Sequence, residues 1–219
     1  MSGIRKIVPA LQLVVLGALL TLIVGHAQAA VIISNLEGND GTQSASLDNL
    51  RNKGMGFTMP AGDDYLLDSA TLRLNLSGTD VHPIVQLWSN SVSNLPGSPL
   101  TTLANPSFSA AGIADYTFSP SSQFTLAANN TYWLVTYGTG AGNSFDWMAD
   151  GSGITPTGVA THFGEYFDAD GPPPTGFSSI LNSYAISAHV VPEPSTMALV
   201  ATSMLLLLTR RVRRMKCVG

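Results

Sequence analysis

The order of hydrophobic and polar residues divides the chain into two apolar ends and a middle of short alternating runs. Residues 7–24 and 197–208 are almost continuously apolar, whereas the segment between them changes character every few residues. The clearest alternation covers Tyr65–Leu76, where every second residue from Ala70 onward is apolar. A period of two is that of a half-buried strand, so this pattern predicts a β-strand over the whole run.

Further short runs in the middle segment are rich in β-branched and aromatic residues, which favours strands. They cover residues 83–88, 115–118, 124–126, 131–137, 144–148 and 183–191. Turn signals containing Pro, Gly, Asn or Asp lie between them, at residues 60–63, 95–97, 140–143 and 170–174. No window of the middle segment sustains a helical apolar stripe over three turns. We therefore predict an all-β fold, a two-sheet antiparallel β-sandwich of the jelly-roll-like kind, flanked by a signal helix and a short transmembrane helix.

The N-terminal 29 residues have the composition of a secretory signal peptide. Arg5 and Lys6 precede the apolar run, and Ala27-Gln28-Ala29 places small residues at the −3 and −1 positions of a cleavage site. Cleavage is therefore expected after Ala29. The alternative is an uncleaved membrane anchor, for which the apolar run is just long enough. Both interpretations predict export.

The C-terminal segment 192–219 contains three features in a fixed order. Pro192-Glu193-Pro194 comes first, the apolar run 197–208 follows, and a basic cluster ends the chain with Arg210, Arg211, Arg213 and Arg214. A helix over residues 195–209 would be about 22 Å long, shorter than the roughly 30 Å hydrocarbon core of a bilayer. It can span if the bilayer thins or the arginines snorkel, with the basic cluster on the cytoplasmic side. A plain tail anchor is the alternative.

This segment resembles the PEP-CTERM sorting signal of exopolysaccharide-producing Gram-negative bacteria. The resemblance implies recognition by exosortase, a membrane-embedded cysteine protease that processes the tail and releases or re-anchors the exported protein. Pro192, Glu193 and Pro194 would then be the recognition tripeptide, and the arginines the stop-transfer cluster. Cys217 lies beyond that cluster, in the part that would be discarded.

Composition narrows the class of partner for the middle segment. The chain has 219 residues and a net charge of −4. Residues 30–191, however, contain three basic and thirteen acidic residues, a net charge of −10. Such a domain is not expected to bind nucleic acid, whose phosphates require a basic face. It also lacks cysteine, so neither a disulfide nor a thiolate site is expected there.

The middle segment resembles the choice-of-anchor R family of exported bacterial domains, which occur with different C-terminal anchors. The runs that carry this resemblance are Gly56-Phe57-Thr58, residues 65–74, residues 85–88, Leu95-Pro96-Gly97 and residues 124–135. The resemblance implies an extracellular β domain and no established catalytic site.

The sequence does not favour an enzyme. It contains neither a nucleophile elbow, a His-Glu-x-x-His zinc motif nor a phosphate-binding Gly loop with Lys. His162 and Glu165 are three residues apart, which in a strand is expected to put them on opposite faces. His189 is expected at a plain surface position of a strand. A secreted hydrolase is therefore the third hypothesis, after a non-enzymatic surface protein and a carbohydrate-binding module.

Two ligand hypotheses concern the domain surface. Asp168 and Asp170 alternate before Gly171 like a fragment of a calcium loop, but prolines follow where another ligand would be needed. Calcium is thus the one cofactor that the sequence suggests, and acidic turns that merely cap local N–H groups are the alternative. For stacking on a sugar ring, Trp147 is the candidate among the tryptophans, and the alternative is that the tryptophans fill the core of the sandwich, as is expected of Trp133.

Together these observations predict an exported, non-enzymatic protein of the cell surface or exopolysaccharide matrix. Its domains would be a signal peptide (1–29), an extracellular β-sandwich (30–191) and a sorting signal (192–219). Exosortase and the inner membrane are the expected partners, with exopolysaccharide as a further one. The competing hypothesis is a carbohydrate-binding module, with or without calcium.

Overall fold

The structure is a computed structural model that describes residues 28–38, 41–78, 80–108, 111–139, 144–150, 153–168, 177–178, 180–191 and 203. The predicted signal helix and the predicted transmembrane helix lie outside these residues, apart from Ser203. Within the described ranges, no helix is long and apolar enough to cross a membrane.

Fifteen β-strands make up the described fold, and all of their pairings are antiparallel. In chain order they are β1 Ala30–Ser34, β2 Gln43–Leu47, β3 Asn52–Thr58, β4 Tyr65–Leu76, β5 Ile84–Asn90, β6 Pro96–Ala104, β7 Gly112–Pro120, β8 Thr125–Leu126, β9 Thr131–Tyr137, β10 Phe145–Asp150, β11 Thr157–Gly158, β12 Thr161–Asp168, β13 Phe177–Ser178, β14 Leu181–Asn182 and β15 Tyr184–Val190. The prediction of an all-β antiparallel fold is confirmed.

The strands form two halves that meet at one edge. In the first half, the long strand β4 pairs with β7, β8, β10 and β15; β1 continues from β15, and β2 and β14 continue from β10. In the second half, the order is β6-β5-β9-β3-β12-β13. The halves are joined where β6 pairs with β7, at Leu103–Pro120 and Ala104–Ser119.

One hydrophobic core is lined by both halves. The predicted alternation in β4 is confirmed, because its apolar residues from Ala70 to Leu76 are buried and the residues between them are only half-buried. They share a cluster with Met55 and Phe57 of β3 and with Leu87 of β5, from the other half. This common core means that the halves pack face to face, as in a sandwich.

The turn predicted at residues 95–97 is wrong in position. Pro96 begins β6, and the reversal of the chain falls earlier, where Ser91 N donates to Leu95 O at 2.8 Å. Asn94 takes the left-handed conformation there, with φ of 59°. Asparagine tolerates this conformation better than most residues, so it takes the role that the Pro-Gly pair was expected to have.

Both ends of the domain lie at the same end of the first half. Ala30, at the start of β1, pairs with Ala188 near the end of β15. Val190 pairs with Tyr65, and the next residue, Val191, donates its N–H to Asp64 O at 2.9 Å. The chain therefore enters and leaves the sheet through neighbouring strands.

Candidate functional site

The sorting motif and the arginine cluster lie outside the described residues, as does Ala27 of the predicted cleavage site. Ala29, the other cleavage residue, is described and exposed just before β1 begins. The predicted boundaries therefore fall directly before the first residue of β1 and one residue after the end of β15.

Trp147 is not exposed, so its predicted role in stacking on a sugar is wrong. Its relative exposure is 0%, and its indole Nε1 donates to Ser183 O at 2.9 Å. Trp147 and Phe145 belong to the common core, whereas Asp146 between them is half-buried. Trp133 is also buried, as expected, but in a separate cluster.

That second cluster occupies the outer face of the second half. Trp133 packs edge-on against Tyr166 and Phe163, with ring centroids 5.9 and 5.7 Å apart. Gly54 and Gly56 of β3 lie beneath these rings. A Cβ at Gly54 would overlap Tyr166, and one at Gly56 would lie 3.1 Å from Phe163. Of these aromatic residues, Phe163 is the most exposed, at 38%.

Of the two predicted calcium ligands, Asp168 is buried at the end of β12, and Asp170 lies outside the described residues. No group of three or more His, Cys, Asp or Glu side chains that could hold a metal ion occurs among the residues that the structure describes. The calcium hypothesis thus gains no support from the part of the loop that can be described.

His162 and Glu165 do not lie on opposite faces, contrary to the expectation from their spacing. A register shift between His162 and Gly164 inserts one extra residue into β12. As a result His162 pairs with Phe57 and Glu165 pairs with Met55, two residues of the common core. A β-bulge changes the side-chain phase in this way, and the sequence alone does not reveal it.

His189 is half-buried and pairs with a carboxylate, so it is not a plain surface residue. Its Nδ1 lies 2.8 Å from Asp68 Oδ1, across the β4–β15 ladder. This pair ties the last strand of the domain to β4 close to the point where the chain leaves the fold.

A cluster of polar side chains lies in the common core, which the sequence analysis did not foresee. Its central members are Lys53 and Glu165 from the second half, each 2% exposed, and Asn182 from the first half, 1% exposed. Lys53 Nζ donates to Trp147 O at 3.3 Å, and Asn182 Nδ2 donates to Glu165 Oε2. The sequence of β3 does contain an indication of this burial, because Lys53 lies on the same face of the strand as the apolar residues Met55 and Phe57.

Further hydrogen bonds fix Asn182 in this cluster. Asn35 Nδ2 donates to Asn182 O at 2.8 Å, and Asn35 Oδ1 accepts from Tyr184 N at 3.0 Å. In contrast, several buried atoms at this cluster have no hydrogen-bond partner among the described residues, namely Glu165 Oε1, Asn182 Oδ1, Ser183 Oγ and Tyr184 Oη. Orphaned polar atoms are rare in protein interiors and call for an explanation.

Burial controls the protonation of the cluster. It raises the pKa of Glu165 well above its usual range, an effect that the hydrogen bond from Asn182 and the charge of Lys53 only partly oppose. Burial also lowers the pKa of Lys53 to about 8, against the attraction of Glu165 and Asp146. Both shifts favour the neutral forms, because the free-energy cost of removing a charge from water exceeds the attraction of the nearby opposite charge.

Clefts open at several places on the surface of the described residues. One, of about 450 Å³, lies beside β1 and includes Glu37; another, of about 200 Å³, lies beside β10 and includes Asp146. Among the described residues, neither of these two clefts is lined by a second carboxylate.

A wider cleft, of about 590 Å³, is rich in side-chain amides and is called here the asparagine cleft. Its lining residues are Ser89, Asn90, Leu100, Phe124, Asn129, Asn130, Thr131 and Tyr132. Asn90 is held in place because its Oδ1 accepts from Trp133 Nε1 at 2.9 Å. Asn129 has a positive φ of 60°, which fixes the turn before β9. Amides and hydroxyls beside an aromatic ring can bind polyhydroxylated ligands.

No family model matches the chain, and no curated protein matches it.

Proposed function

We propose that this is an exported, non-enzymatic protein of the cell surface or extracellular matrix that exosortase processes through its C-terminal segment. The observation that carries the proposal is the order of Pro192-Glu193-Pro194, the apolar run 197–208 and the arginine cluster. Two prolines flank one carboxylate, which favours an extended, accessible segment in front of the membrane. The β domain of this protein would be a jelly-roll-like sandwich on the extracellular side of the membrane.

The position of the domain ends supports this arrangement. β15 ends at Val190, so the tripeptide begins two residues after the last strand and leaves the sheet intact when it is cleaved. Cleavage after Ala29 would likewise spare all of β1. Because both ends leave the fold at one place, the precursor would hold that end of the domain toward the inner membrane.

The test is to change the tripeptide without changing the apolar run. Glu193→Ala and Pro194→Ala are expected to abolish processing, with full-length precursor accumulating in the inner membrane of an exosortase-bearing host. Ser195→Ala is the matched control and should be processed normally. Cell fractionation and immunoblotting with an antibody against the β domain provide the measurement.

A plain anchor makes the opposite prediction for the same variants. Apolar length and positive charge would then be sufficient, and replacing Glu193 would have no effect. Replacing Arg210, Arg211, Arg213 and Arg214 by Asn should disturb topology in both cases, because the apolar run is short. Normal processing of Glu193→Ala and Pro194→Ala would leave an ordinary tail anchor as the function of this segment.

The asparagine cleft favours a second candidate function, binding of carbohydrate by the β domain. Asn130 provides its test, since its backbone O accepts from Met59 N while its side chain is exposed in the cleft. Removing a hydrogen bond to a ligand costs about 1 kcal/mol, or roughly a five-fold loss of affinity. Asn130→Ala should therefore weaken binding to the host exopolysaccharide by about this factor.

Affinity electrophoresis in gels that contain the polysaccharide would measure this difference. Asn49→Ala is the control, because Asn49 is exposed and does not line the cleft. No retardation of the unmodified protein, or equal retardation of both variants, would contradict a sugar site in the asparagine cleft.

A further inference from the structure

The interior polar cluster combines an amine, an amide and a carboxyl group on strands that are far apart in sequence. Lys53 is the only lysine in residues 30–191. Its Nζ crosses the core and reaches Trp147 O of β10. Asn182 is paired with Ala149, two residues further along the same strand, so the amine and the amide both lie at β10.

Glu165 lies directly against the amide. Asn182 Nδ2 donates to Glu165 Oε2, while Asn182 Oδ1 and Glu165 Oε1 lack hydrogen-bond partners among the described residues. A purely structural amide would be expected to use both of its polar atoms. In Asn182, Nδ2 is hydrogen-bonded to the carboxyl group of Glu165, whereas Oδ1 has no hydrogen-bond partner among the described residues.

We propose that Lys53 and Asn182 join through an amide bond that the domain forms on itself, with Glu165 as the proton carrier. The cross-link would connect the two halves of the sheet, from β3 to β14. It would provide a covalent link in a domain that has no cysteine for a disulfide.

The reaction is a balanced acyl transfer. The lone pair of Lys53 Nζ attacks Asn182 Cγ, and a C–N bond forms while the carbonyl oxygen takes the charge. When the intermediate collapses, the bond from Cγ to Nδ2 breaks. Glu165 gives its proton to the departing nitrogen and receives one from Nζ, so the products are a secondary amide, ammonia and Glu165 in its original form. No oxidant, metal or nucleotide is needed.

The environment supplies the protonation states that this step requires. Burial raises the pKa of Glu165, which favours its protonated form, and the lowered pKa of Lys53 makes a free amine accessible near neutral pH. General acid catalysis and an unprotonated nucleophile are the two requirements of acyl transfer to an amine. For the reaction, the amine must leave Trp147 O and approach the amide of Asn182. Both groups are confined in one cluster, which raises their effective concentration.

Mass spectrometry of the full chain, purified in detergent and then denatured, tests the proposal. The intact mass should fall below the value calculated from the observed chain ends by one molecule of ammonia. Proteolysis should also yield one branched peptide that contains Lys53 and Asn182. Lys53→Arg and Asn182→Ala should each restore the calculated mass, and Glu165→Gln should restore it wholly or in most molecules.

Asn49→Ala, at an exposed asparagine, is the control and should keep the deficit. An unmodified protein with its full calculated mass overturns the proposal, whether or not the variants fold. A deficit that persists in Lys53→Arg also overturns it, because the loss would then come from another site. The test does not involve the C-terminal tripeptide, so its failure leaves the proposed function unaffected.

Discussion

Single residues that are shielded from water set the pH response of this domain. His162 is an example, because its Nδ1 is buried and has no hydrogen-bond partner among the described residues. Burial lowers the pKa of His162 below its ordinary value of 6.5. The native protein therefore binds this proton less readily than the unfolded chain does.

Replacing His162 by Gln should reduce the loss of stability in acid. For the unmodified protein, the contribution of His162 is present above pH 6.5 and is lost as the pH falls, since the unfolded chain takes up the proton first. Melting temperatures of both proteins between pH 7 and pH 5 provide the measurement, and parallel curves would contradict this role of His162.

The burial of individual residues was only partly predictable from sequence. Trp133 lies inside a long apolar run, so its burial could be predicted. Trp147 follows an aspartate, and its burial depends on the phase of β10 and on the distant Ser183. Lys53 was overlooked because a lysine is normally exposed, and only its phase with Met55 and Phe57 indicates the interior.

At the scale of the strands, β3 depends on its glycines as much as on its apolar residues. Gly54 allows the ring of Tyr166 to lie directly on the backbone of β3. The hydroxyl group of the same tyrosine donates a hydrogen bond to Asn52 Oδ1. This contact links β3 to β12 on the outer face, while Met55 and Phe57 link it to the core.

Gly54→Ala should destabilise the domain by about 1–3 kcal/mol, because the added methyl group overlaps the ring and forces it aside. Gly78→Ala is the matched control, since a Cβ at Gly78 would meet no atom within 4 Å. Its effect should be about zero or slightly stabilising. Urea unfolding followed by tryptophan fluorescence measures both variants, and equal midpoints would show that Tyr166 does not depend on Gly54.

Strand identity could be predicted where the sequence alternates and not where long-range pairing creates the strand. β4 and β9 were predicted with their observed bounds. In contrast, β3 contains two glycines and β6 contains two prolines, and such residues have low strand propensity. β6 tolerates Pro96 and Pro99 because its register with β5 is irregular there.

At the scale of the whole molecule, the all-β class could be predicted from the spacing of the short apolar segments. The pairing between the two halves of the sheet could not be predicted in this way. Among the described strands, the short β6–β7 pairing is the one ladder that connects the two halves, and no local pattern in the sequence indicates that contact. The interior cluster is hidden for the same reason, because Lys53 and Asn182 are separated by most of the domain. The asparagine cleft likewise combines strand ends and a turn from distant parts of the chain.

Because the first strand β1 pairs with the last strand β15, the chain could begin and end at another point of the sheet. Adjacent strands are about 5 Å apart, so a few residues could connect Val191 to Ala30 directly. New ends could then be opened at an exposed turn such as the one around Val92, which is fully exposed. Such a circularly permuted chain would keep every strand pairing, and it would present its two ends at a different site from the present one.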